Sequence, residues 1–241
     1  MDDTHERDST EPESSPPRRE PILNLPRIVV LFMVLCVVLH ALRTYVLTDD
    51  QAIELIVYGA FIPLRYTGGY PIDLAAFTSP LTASLLHGGW AHLAINMVWL
   101  AIFGSPLATR IGALRFVLFW CMASLCAAAL HFMALPEDPT PMLGASGAIS
   151  GMMGAAARFG FAVDRRARLP IYRGRLLSIG ETLSHRGTLI FLLAMLVLNI
   201  AAGFGFGGDA DGMIAWQAHI GGLLGGFFLI PLFDRPAPRE P

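Results

Sequence analysis

The chain has 241 residues, of which 54% are hydrophobic and only 15% charged, with a mean hydropathy of +0.55. A soluble domain carries nearer a quarter charged residues, so this balance points to a membrane protein. A formal net charge of −2, from 17 basic and 19 acidic residues, by itself says nothing about nucleic acid, and no nucleic-acid partner is expected.

Residues 1–26, "MDDTHERDSTEPESSPPRREPILNLP", are polar, Pro-rich and more acidic than basic. Such a composition cannot bury a core, and a disordered cytoplasmic tail is expected. Neither a secretory signal, with its basic start and early apolar stretch, nor an acid-poor mitochondrial presequence fits. A membrane domain is expected over 27–234 and a short cytoplasmic tail over 235–241.

A helix needs about 20 largely apolar residues to cross the hydrocarbon core. Six segments approach this: 28–47, 81–103, 112–134, 146–163, 187–207 and 213–233. Between the first two, "QAIELIVYGAFIPL" is too short to span and reads as an interfacial or re-entrant element. Cys36, Cys121 and Cys126 lie inside apolar runs, odd in number and badly placed for a disulfide framework. They read as packing residues.

Arginine placement sets the expected orientation. Arg18, Arg19 and Arg27 precede segment one, Arg110 and Arg115 follow segment two, and Arg165, Arg166, Arg168, Arg173, Arg175 and Arg186 crowd the loop after segment four. Arg235 and Arg239 follow segment six, whereas "PEDPTPML" and "GGDADG" hold no basic residue. Both termini are therefore expected in the cytoplasm. Arg43 and Arg65 run against the rule. Segments two, four and six then all enter from the external side, so their first residues share one depth.

Polar groups in a bilayer are costly and face a protein interior or a wet cavity. His87, His92, Asn96, Ser146, Ser150 and His219 are such groups, and they supply a hydroxyl, a base and spare donors. That is the minimum set for acyl transfer through a serine. Gly222 and Gly226 share a helical stripe with His219, and Gly147, Gly151 and Ala155 form a similar stripe after Ser146. Small-residue stripes let two membrane helices approach closely, which would bring the imidazole to the hydroxyl. His92 and Asn96, four apart, can point at a common atom, and the Ser146 N–H at a helix start is a third donor for an oxyanion.

"HGGWAHLAIN" fits H-x4-H-x3-N, "GASG", beginning at Gly144, fits G-x-S-G, and "AHIGGLLGG" fits A-H-x2-G-x3-G. In this order, on alternate helices of six, they resemble the rhomboid family of intramembrane serine proteases over roughly residues 28–233. The resemblance implies an all-α bundle of six transmembrane helices, with Ser146 as nucleophile and His219 as general base of a dyad. It assigns His92, Asn96 and the Ser146 N–H to the oxyanion hole and gives His87 a supporting role. It also implies no metal or cofactor, and transmembrane protein substrates cleaved near the membrane surface. Some members carry an aromatic residue four positions after the nucleophile that packs on the catalytic histidine. Here that position is Ser150, so the His219 ring must be held from elsewhere, with Trp216 and Phe206 as candidates. The Trp-Arg pair in the first loop of many members is replaced by "PLRYTGGY".

Structural roles compete with each assignment. Ser146 could cap a helix, His92 and Asn96 could join helices, and His87 could be a solvated interfacial residue. A zinc site from His87, His92 and His219 lacks any acidic or thiol ligand in the same layer. A soluble α/β-hydrolase would need a strand before the serine, where "PEDPTPML" stands. A transporter would more typically show an intramembrane carboxylate or an internal repeat. The reading is a multi-pass serine endopeptidase of a bacterial inner membrane, its site facing outward. The alternative is a non-catalytic rhomboid-like protein that binds transmembrane clients.

Overall fold

The computed structural model describes residues 25–160, 175–203 and 215–234, and of residues 200–203 the backbone alone. Both expected tails, apart from Leu25 and Pro26, lie outside the described residues. So do Arg165, Arg166, Arg168, Arg173, Phe206 and the "GGDADG" loop.

Among the described residues the fold is helical throughout, with one isolated antiparallel bridge between Phe61 and Met142. Helix α1 runs Arg27–Tyr45, followed by α2 (Asp49–Gly59), the single turn α3 (Leu64–Thr67) and α4 (Leu74–Thr82) with a 3-10 turn over Ala83–Leu85. Thr48 starts α2 with a reciprocal capping box to Gln51. The stretch expected to lie at the interface is thus helical and too short to span.

The next helix departs from expectation. It does not begin at residue 81 but at Trp90, because Gly89 is extended (φ −160°, ψ 170°) and residues 81–85 finish the preceding element. Helix α5 (Trp90–Trp99) runs through a π-helical stretch, Leu100–Gly104, into α6 (Ser105–Ile111), forming one apolar rod of 22 residues. After Gly112 come α7 (Ala113–Ala134), α8 (Ser146–Phe159), α9 (Ile179–Ser184), α10 (Arg186–Gly203) and α11 (Trp216–Leu229), with a closing 3-10 turn at Ile230–Leu232. Among the described residues, three helices are long and apolar enough to cross a membrane: Arg27–Tyr45, Trp90–Ile111 and Ala113–Ala134. Arg186–Asn199 and Trp216–Leu232 are apolar but shorter.

The core is built around α8. Apart from Ser146 and Ala156, its residues are buried, and it packs most extensively on α11, with α7 against both. Small residues make this possible. A Cβ on Gly222 would lie 2.0 Å from the Gly147 carbonyl oxygen, and one on Gly154 would lie 2.1 Å from that of Leu223. Helices this close gain dispersion contacts along their backbones, the main source of cohesion where lipid is as apolar as the side chains. Outward-facing Leu31, Val34, Leu118, Leu196 and Phe228 are exposed, as a lipid-facing surface requires.

Both ends of the core are fastened by polar bonds. At one end Arg158, itself buried, donates to the carbonyls of Leu177 (2.7 Å) and Phe227 (2.8 Å). Arg110 forms a two-bond pair with Asp234 (2.7 and 2.8 Å). At the other end the loop before α8 is stitched to the first loop. Phe61 and Met142 exchange backbone bonds of 3.0 and 2.8 Å, Leu64 N–H donates to Asp138 O (3.1 Å), and Gly144 N–H donates to Ala83 O (2.9 Å).

The two arginines that oppose the charge rule are both tied down. Arg43 donates to the carbonyls of His87 (3.0 Å) and Gly88 (3.1 Å). Arg65 donates to Val57 O and to Ser79 Oγ, so "PLRYTGGY" clips α2 to α4. Cys36 is buried and all three cysteines are free thiols.

Candidate active site

Ser146 is the first residue of α8, and the first ladder bond of that helix runs from Ile149 N–H to Ala145 O (3.0 Å). The Ser146 N–H therefore stands ahead of the ladder, as initial helical N–H groups do. Its Oγ lies 2.8 Å from Nε2 of His219, in the first turn of α11. Both residues are half-buried. The contacts of Gly222 with Gly147 and of Gly226 with Gly151 hold the two helices at this separation.

Gly144 turns the chain into α8 with φ +129°, a region open chiefly to glycine. A Cβ there would meet Cε1 and Nε2 of His92 at 2.9 Å and Ser146 Oγ at 3.6 Å. The imidazole edge of His92 and the Ser146 hydroxyl thus flank one spot beside the Gly144 backbone. Asn96, one turn along α5 from His92, is buried, and its Nδ2 donates to His92 O (2.9 Å). One amide hydrogen is spent within the helix and one remains.

His87 is not an interfacial, solvated residue but a buried one, 1% exposed, in the turn ahead of α5. Its ring meets that of His92 edge-on at 5.3 Å, and its carbonyl accepts from His40 Nδ1 (3.1 Å) and Arg43. Its ring thus borders that of His92. Ser150 is buried within α8. The small residues sit at the α7–α8–α11 contact: a Cβ on Gly147 would approach that of Ala127 to 2.7 Å, and one on Gly226 would approach Gly151 O to 1.8 Å. No group of three or more His, Cys, Asp or Glu among the described residues stands together as a metal site would need.

One residue escaped the sequence reading. Asn199 of α10 presents Oδ1 at 2.6 Å from Nδ1 of His219, while its Nδ2 donates to Met195 O (2.7 Å). Trp216 makes no ring contact with His219 among the described residues. The signal was a lone amide in "LLAMLVLNIAAG", since a polar side chain in such a run needs a partner.

The Rhomboid domain family matches residues 75–235. Rhomboid protease GluP of Bacillus subtilis is 34% identical over 65% of this chain and 26% of its own length. RHOMBOID-like protein 6, mitochondrial, of Arabidopsis thaliana is 30% identical over 62% of the chain and 41% of its own. RHOMBOID-like protein 5 of the same plant is 28% identical over 60% of the chain and 40% of its own. The chain thus spans less than half the length of these relatives. It belongs to the rhomboid family, a family of intramembrane proteases, and is an integral membrane protein.

Proposed function

We propose that this chain is an intramembrane serine endopeptidase, cleaving membrane proteins in or near their transmembrane segments. The observation that carries the reading is the 2.8 Å separation of Ser146 Oγ and His219 Nε2. A serine alcohol attacks a carbonyl only if a base removes its proton, and this is hydrogen-bond reach for that transfer.

His219 takes the proton as Ser146 attacks the scissile carbonyl, then returns it to the leaving amine. The oxyanion forms beside Gly144, where the His92 ring edge, the Ser146 N–H and the free amide hydrogen of Asn96 are the donors at hand. Water then hydrolyses the acyl-enzyme. A helical substrate must unwind locally first, because its peptide carbonyls are otherwise hydrogen-bonded and shielded. The six apolar segments support six crossings, and the arginine distribution supports cytoplasmic termini with the site open to the external side; the membrane we propose is a bacterial inner membrane. Serine and histidine in bonding contact favour this reading over a non-catalytic client binder.

The test is labelling by a fluorophosphonate probe in detergent, with cleavage of a model transmembrane substrate in liposomes alongside. Labelling and cleavage lost in Ser146→Ala but kept in Ser150→Ala support the reading. Cleavage that persists in Ser146→Ala sinks it.

A further inference from the structure

Two hydrogen bonds settle the proton position on His219 without a carboxylate. The backbone oxygen of Met195 can only accept, so the Asn199 amide must turn its NH2 toward it at 2.7 Å. That leaves Oδ1, also only an acceptor, at 2.6 Å from His219 Nδ1. Nδ1 must then carry the hydrogen, and a neutral ring so protonated presents a bare Nε2 to the Ser146 hydroxyl at 2.8 Å. The chain of acceptors runs in one direction from the α10 backbone to the serine.

We infer that Asn199 is a positioning residue of the proteolytic site, holding His219 in the tautomer and orientation that a general base requires. The inference rests on the serine-protease reading and deepens it, turning a two-residue site into a Ser146–His219–Asn199 relay. An amide fits this place physically. A carboxylate would have to be kept charged in a half-buried, lipid-surrounded position, at a desolvation cost that a neutral amide avoids. Cys-His-Asn proteases divide the labour in the same way. Asn199 also takes over the duty left vacant by Ser150, gripping the ring at its edge where an aromatic neighbour would press on its face. Because α10 supplies this grip, the base is assembled from two helices and the nucleophile from a third.

The experiment uses full-length protein labelled with 15N-histidine, in wild type and Asn199→Leu, a change of similar size that removes the acceptor. In wild type the His219 ring should carry its hydrogen on Nδ1. In Asn199→Leu that preference should vanish, and kcat on a transmembrane substrate in liposomes should fall about 100-fold, the low end of what a positioned base supplies, with KM little changed. A wild-type ring protonated on Nε2 overturns the inference, as does a folded Asn199→Leu with unchanged kcat. Should Asn199→Leu fail to fold, the wild-type tautomer alone decides. A wild type with the hydrogen on Nδ1 that neither labels nor cleaves would overturn the protease reading and leave the ring geometry standing.

Discussion

A Cβ placed on Gly226 would lie 1.8 Å from the carbonyl oxygen of Gly151, so these two glycines fix how closely α11 approaches α8. Toward the N-termini, seven residues back along α11 and five along α8, the same approach sets the distance between His219 and Ser146. The site geometry is therefore a packing property of the helix pair before it is a property of Ser146 and His219 themselves.

Gly226→Val should force α8 and α11 apart. We expect destabilisation of about 1–3 kcal/mol from overpacking, and a loss of cleavage larger than the loss of folded protein. Thermal unfolding in detergent together with activity per folded molecule measures both. Full specific activity in a folded Gly226→Val would break the link between glycine contact and site.

Ser146→Ala and His219→Ala should each abolish cleavage while leaving the protein inserted and folded, since neither side chain belongs to the buried core. Ser150→Ala should retain cleavage. Product formation in liposomes, read against far-UV circular dichroism, separates lost chemistry from lost fold.

His92→Ala and Asn96→Ala should reduce kcat rather than eliminate it, each removing at most one oxyanion donor, a loss of about 100- to 1,000-fold. Asn96→Ala should show the smaller effect, because that amide already spends one hydrogen on His92 O. An unchanged kcat in His92→Ala would show that the imidazole is not a donor to the oxyanion.

Gly144→Ala combines two insults: a methyl at φ +129° and a contact of 2.9 Å with the His92 ring. Its effect on kcat should equal or exceed that of His92→Ala. Steady-state kinetics of both variants and of the double variant checks this. Additive losses would mean that the glycine acts independently of the ring.

Arg158→Met keeps the aliphatic stem but leaves the carbonyls of Leu177 and Phe227 without their donor. Stability should fall by about 1–3 kcal/mol, with activity per folded molecule preserved, because Arg158 sits in the last turn of α8 while Ser146 opens it. An unchanged unfolding temperature would show those carbonyls to be satisfied otherwise.

Much of this molecule is decided by its sequence alone. Apolar runs, with arginines gathered in every second loop between them, fix the class of protein, because hydrocarbon tolerates no unpaired backbone or stray charge. Against that background Ser146, His92, Asn96 and His219 stand out, and so do the glycines beside them, since each costs too much to be incidental. Tertiary structure decided the rest. The sequence places no boundary between residues 81 and 103, yet the rod starts at Trp90, where Gly89 takes an extended backbone that hydropathy does not register. Arg43 and Arg65 look misplaced until their carbonyl and hydroxyl partners are seen. Asn199 reads as one polar residue in a greasy helix until α10 brings it within 2.6 Å of His219. Periodicity and composition report what a residue costs to bury. Only the packed helices determine which partner, distant in sequence, offsets that cost.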